Sequence, residues 1–150
     1  MKYPKRKPNR LKGYDYASNG GYFITICTKN KKCLFWEDGP EIQLSPWGVI
    51  VDQTIKEIPE HYSGIQLDHY VVMPNHVHLI LLIADTSNRG PTISRVINQM
   101  KGAATKRIGT PVWQKLYHDR IIRDEAEYLR VWNYIDINPL KWNEDCYYEA

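Results

Sequence analysis

Two histidines one residue apart, His76 and His78, are the residues of this chain best placed to do chemistry. They lie in LDHYVVMPNHVHLILLIA, residues 67–84, where two apolar runs flank Pro74-Asn75. Side chains alternate between faces along a strand, so His76 and His78 look one way while Val77 and Leu79 look the other. Two imidazoles on one face can share a divalent ion; they can equally be two histidines on the wetter face of a hairpin, and the tripeptide alone leaves both readings open.

A second pair stands near the C-terminal end. Residues 124–138 predict a helix, because Asp124 and Glu127 have capping-box spacing and Tyr128, Val131, Trp132 and Ile135 recur as one apolar stripe. Pro139 cannot continue it, so Asn138 falls in the last turn. Tyr134 and Asn138 are four apart, so a phenol and an amide face one point, although a helix-end tyrosine beside an asparagine is also ordinary structure.

The remaining elements must bring these pairs together. Tyr22–Thr28, YFITICT, reads as a strand from its aromatic and β-branched content. Ser45-Pro46 opens a helix with the stripe Val49, Ile50, Ile55, Ile58, stopped by Pro59. Strands are expected at Leu67–Met73 and His76–Ala84, then a polar loop at 85–91. Residues 92–108 are amphipathic at helical period, with Ile93, Val96, Ile97, Met100 and Ala104 on one side, Arg95, Asn98, Gln99, Gly102, Thr105 and Lys106 on the other, and Gly109 as the stop. Val112–Ile122 reads as a fourth strand, with His118 a packed or surface histidine.

At 150 residues, 43% of them hydrophobic, the chain has the size of one domain with one core. No apolar run reaches membrane-spanning length and the basic N-terminal stretch lacks the apolar segment of a secretory signal, so a cytoplasmic protein is expected. Cys27, Cys33 and Cys146 fit no paired spacing and read as reduced. Net charge is only +3, but residues 1–12 hold six cations and no acid, as do residues 86–118. Two basic contacts on a neutral-to-acidic body suit a polyanion held at chosen places, and nucleic acid is the leading partner. The candidates are Arg6, Arg10 and Lys12 on an extended arm (1–12), Tyr14 in the turn after it, and Arg95, Lys101, Lys106, Arg107 and Lys115 around the basic helix.

GYDY at 13–16, YFITICT at 22–28, LDHYVVMPNHVHLIL at 67–81, VWQKLYHDRIIRDE at 112–125 and YIDINPLKW at 134–142 together resemble the REP-associated tyrosine transposases. These are a branch of the single-tyrosine transposases that carry a His-hydrophobic-His motif. The resemblance covers most of the chain in the family's order. It implies an α+β, ferredoxin-like fold: a central antiparallel sheet with helices packed on one face, residues 13–150 forming one domain.

It further implies that His76 and His78 ligate Mg²⁺ or Mn²⁺, that Asn138 completes the set, and that Tyr134 is the nucleophile. Related insertion-sequence enzymes have glutamine where this chain has Asn138. The implied reaction cleaves and rejoins single-stranded DNA beside palindromic REP-like hairpins through a 5′-phosphotyrosine, by a nucleoid-associated monomer or homodimer. The alternatives are a domesticated hairpin-DNA-binding protein without cleavage, and a metal-dependent phosphoester hydrolase, which gives the basic arm no purpose. Tyr117 and Tyr128 are rival nucleophiles, ranked lower because Ile121 and Trp132 stand four positions on.

Overall fold

Two adjacent strands around Pro74-Asn75 do form, and the other elements are laid against them. In the computed structural model of the chain, the structure describes residues 20–83 and 92–149. The elements are β1 (Gly20–Cys27), α1 (Pro46–Lys56), α2 (Ile58–His61), β2 (Ile65–Val72), β3 (His76–Ile83), α3 (Ile93–Ile108), β4 (His118–Ile122) and α4 (Glu125–Ile137). Short 3₁₀ segments cover Lys29–Lys31 and Asn138–Glu144. The strands make one antiparallel sheet in the order β2-β3-β1-β4. With helical crossovers from β1 to β2 and from β3 to β4, this is the ferredoxin-like arrangement, α+β as expected.

Local chemistry fixes the helix ends. The Ser45 hydroxyl accepts from Gly48 N–H and donates to the Leu34 carbonyl, capping α1 and tying it to the loop after β1. Thr92 and Asp124 cap α3 and α4 in the same way, by accepting from Arg95 N–H and Glu127 N–H. Each such cap contributes about 1 kcal/mol. Gly109 ends α3 in the left-handed region, φ 95°, where other residues are strained.

The sheet separates two cores. Ile24, Ile26, Val77, Leu79 and Leu81 face α1, α2 and α3, joined by Ile55, Val96, Ile97 and Met100. Ile80, Leu82 and Ile122 face the opposite way, onto Tyr128, Val131, Trp132 and Ile135 of α4. Helices on one face therefore describes α1–α3, while α4 follows the last strand and covers the other face. Its apolar stripe needs a surface of its own, and the crossover helices already occupy the first.

Three local expectations change. Ile55 is buried as expected, but Val49 is 42% exposed and α1 buries Val51 and Thr54 in its place, because Gly48 sits directly against the Phe35 carbonyl and sets the helix rotation. Pro59 does not end the helical stretch but lies in the first turn of α2, where its missing N–H costs nothing. The strand expected over Val112–Ile122 is regular only from His118. Val112 and Trp113 are both buried, so alternation fails there, and the Gln114 and Lys115 carbonyls accept from Lys101 Nζ rather than from a ladder. Ala84 and the 85–91 loop lie outside the described residues.

A Cβ at position 48 would stand 2.1 Å from the Phe35 carbonyl oxygen. Gly48→Ala should thus destabilise the chain by about 2–3 kcal/mol in urea unfolding, the scale of overpacking a tight contact. A change below the error of the measurement would show that α1 is not held so closely.

Candidate metal and nucleophile site

β3 alternates as the sequence requires, and its α4-facing side carries His76 and His78 ahead of Ile80 and Leu82. Both histidines are buried, at 0% and 1% exposure. His78 pairs across the sheet with Thr25, whose hydroxyl lies 2.9 Å from its Nδ1. His76 Nδ1 lies 2.8 Å from Asn75 Oδ1. The Asn75 amide nitrogen donates to the Lys31 and Tyr147 carbonyls, which fixes which end of that side chain is oxygen. His76 must then carry its proton on Nδ1, leaving the Nε2 lone pair bare. Hydrogen bonding of the other ring nitrogen is how proteins orient imidazole for a metal.

The two Nε2 atoms have no hydrogen-bond partner, and neither has Asp145 Oδ2, 3.7 Å from His76 Nε2. The other Asp145 oxygen accepts from Tyr147 N–H. One ligand atom from each of His76, His78 and Asp145 falls within a group no wider than 4.8 Å. An unsatisfied buried polar atom costs about 1–3 kcal/mol, so three converging ones need a common partner. A divalent cation fits that need: two neutral imidazoles and one carboxylate suit Mn²⁺, and Mg²⁺ less well because it seldom relies on nitrogen. Burial pulls the pKa of His76 down to about 4, against the opposing pull of Asp145. Burial, then the neighbouring His76, pushes His78 well below its usual value. Both rings are neutral at pH 7, the form that binds metal.

Tyr134 reaches the same place from α4. Its ring centre is 5.2 Å from that of His78, and Phe23 meets it edge-on at 6.2 Å. The residue is 37% exposed. Burial raises the phenol to about 12, Asp145 and Cys146 add to this, and the Asn138 side chain pulls it back. Asn138 itself is 3% exposed, and its Oδ1 has no hydrogen-bond partner. α4 is held in this rotation by its other contacts with β2. A register shift between Leu67 and His69 puts both Asp68 and His69 within reach of the helix. Tyr128 donates to Asp68 Oδ2 at 2.6 Å, and His69 stacks on Trp132 with its Nε2 3.3 Å from Asp136.

The structure thus brings together His76, His78 and Tyr134, sets Asn138 beside the Tyr134 phenol, and adds Asp145. No spacing in the sequence pointed to Asp145, an acid in a tail whose position is set by Tyr147 and Asn75. The rival tyrosines are elsewhere: Tyr128 is buried against Asp68, and Tyr117 pairs with Ser94 on α3. The basic helix is not at the site, because α3 packs on the opposite face of the sheet. Arg95, Lys106 and Lys115 are exposed there, Arg107 makes a two-pronged ion pair with Glu57, and Lys101 is buried under the 114–115 carbonyls. Arg6, Arg10, Lys12 and Tyr14 lie outside the described residues.

Comparison with known proteins adds to this geometry. A Haemophilus influenzae protein described as uncharacterized is 35% identical over 167 residues, covering 95% of this chain and 93% of that one. The chain belongs to the same family as that protein. No family model matches it. Among solved structures, a REP-associated tyrosine transposase bound to a REP hairpin superimposes with a TM-score of 0.65 at 20% identity, covering 94% of this chain and 74% of that one. A transposase candidate from Deinococcus radiodurans R1 gives 0.54 at 20% identity, with 87% and 95% covered. The fold is therefore the tyrosine transposase fold that the resemblance implied. No helix among the described residues is long and apolar enough to cross a membrane.

Two outcomes follow from the cluster. Between pH 6.5 and about 4 the unfolded chain takes up a proton that folded His76 refuses, so with chelator present stability should fall by on the order of 3 kcal/mol as pH drops through that window. Thermal melts at pH 7, 5.5 and 4 check this, and a flat profile would contradict it. Asp145→Asn should weaken Mn²⁺ binding at least tenfold in calorimetry, whereas an unchanged Kd would remove Asp145 from the ligand set.

Proposed function

We propose that this chain is a metal-dependent tyrosine transposase that cleaves and rejoins single-stranded DNA beside a palindromic hairpin. The observation that carries the proposal is the meeting of the Tyr134 phenol with the His76, His78 and Asp145 cluster at one end of β3, on the face covered by α4. A hydrolase using bound water would have no use for a phenol there. The hairpin-bound transposase of the same fold supports the choice of substrate.

A phenol with a pKa of about 12 is ionised in only about one molecule in 100,000 at pH 7, so attack needs help. His76, His78 and Asp145 would hold the ion, with Asn138 as a further oxygen donor. Bound there, it would supply Lewis-acid pull on a phosphodiester oxygen. The residues do the rest. Tyr134 Oη attacks phosphorus, the bond to the 3′ oxygen breaks, and the phenol proton passes through solvent to that oxygen. The products are a 5′-phosphotyrosine and a free 3′-hydroxyl, and the retained phosphodiester energy allows rejoining without a nucleotide triphosphate. The Asn138 amide steadies the phenol, and Phe23 walls the ring against the sheet. The side chains of His76 and Asp145 are fully covered, and the Tyr147 ring lies 4.6 Å from that of His76, so the 145–149 segment must shift for DNA to reach the centre.

Incubated with labelled hairpin DNA carrying a single-stranded flank, with Mn²⁺, the wild-type chain should form an adduct that survives denaturation and maps to Tyr134. Tyr134→Phe should lose the adduct by at least about a thousandfold while its DNA affinity stays unchanged. Equal cleavage by that variant would overturn the mechanism, and tight binding without any adduct from the wild type would favour a hairpin-binding protein that does not cut.

A further inference from the structure

A cleft of about 400 Å³ opens beside the sheet end that carries His76, lined by Lys29, Asn30, Lys32, Trp47, Thr110 and Pro111, with Leu34 and Val112 at its base. Its size is that of a small-ligand site. No acid lines it, and among the described residues no ion pair engages Lys29, Lys31 or Lys32. Asn30 and Lys31 both adopt the left-handed backbone, φ 55° and 54°, so Lys29–Lys32 is a tight turn with every side chain exposed. Thr28 clamps the turn, its one hydroxyl proton lying between the Lys32 carbonyl at 2.8 Å and the Asn75 carbonyl at 3.1 Å. Trp47, in the first turn of α1, is half-buried on the core and lines the cleft with the remainder of its indole.

We infer that this cleft binds single-stranded DNA, a base stacking on Trp47 while Lys29 and Lys32 hold the adjoining phosphates. An aromatic face beside unpaired cations is how proteins hold single strands without reading sequence, whereas a base inside a duplex has its faces covered by its neighbours. The cleft is joined to the proposed catalytic end by one residue. Asn75 donates to the Lys31 carbonyl of the basic turn and to the Tyr147 carbonyl beside the cluster, and its own oxygen orients His76. The buried Asn75 thus ties the basic turn at the cleft to the backbone beside the centre. This rests on the proposed function, and it offers the DNA flank unpaired cations at the sheet end, where the cleft packs on the same core as α3.

Fluorescein-labelled (dT)₁₂ and a blunt 12-base-pair duplex serve as probes, with anisotropy read at 50 and 200 mM salt. Trp47→Leu should weaken (dT)₁₂ binding at least about fivefold and leave duplex binding unchanged. The double variant Lys29→Gln/Lys32→Gln, at exposed positions that cannot upset the core, should reduce the salt slope for (dT)₁₂ by about 1.4. Wild-type affinity and slope in both variants, or no binding of (dT)₁₂ by the wild type, would overturn the inference. Groove-dependent binding without a tyrosine adduct upholds the cleft and removes the cleavage reading; an adduct with both variants binding normally does the reverse.

Discussion

The constraint on which the structure depends is the alternation of β3, which carries two imidazoles into the interior with their Nε2 atoms unpaired. A fold that only needed an apolar strand would not hold such atoms there, since each lost hydrogen bond, about 1–3 kcal/mol, weighs against a net stability of about 5–15 kcal/mol. The neighbours make sense as consequences. Asn75 accepts the Nδ1 proton of His76 and Thr25 engages Nδ1 of His78, so both Nε2 atoms are turned toward one spot. Asp145 completes that spot from the far end of the chain, and its second oxygen is held by Tyr147 N–H.

The sheet is also a partition. One face is a conventional apolar core under α1–α3; the other carries the histidines and is closed by α4, whose placement relies on polar contacts as much as on its stripe. Tyr128 with Asp68, and Trp132 with Asp136 about His69, tie successive turns of the helix to the edge strand β2. The Leu67/His69 register shift makes that possible, because an unshifted strand would send one of the two side chains to the wrong face. Tyr134 approaches His78 because these contacts fix the helix rotation.

Much of this was legible beforehand, and what was not has a physical reason. The stripes of α3 and α4 bury the residues that their periodicity named, since a 3.6-residue repeat depends on nothing outside the helix. His76, His78 and Tyr134 were readable from spacing and resemblance. The place of Asp145 beside them was not, because it is created by tertiary contacts of the tail. Lys101 and Arg107 counted as positive charge in the sequence, yet one is anchored to backbone carbonyls and the other to Glu57. Formal charge along a chain does not distinguish a cation offered to a partner from one already engaged, and the cleft beside Lys29 and Lys32 needs three distant segments to exist at all.

If the site works as proposed, one ion sits between the two inward-turned Nε2 atoms with the phenol beside it. Crystals soaked in Mn²⁺ and measured for anomalous scattering test it most directly. A peak is expected about 2–2.5 Å from both Nε2 atoms and from Asp145 Oδ2, with Tyr134 Oη lining the same space. Ordered crystals with no peak at His76 and His78 after saturating Mn²⁺, or a peak with Tyr134 turned away from it, would contradict it.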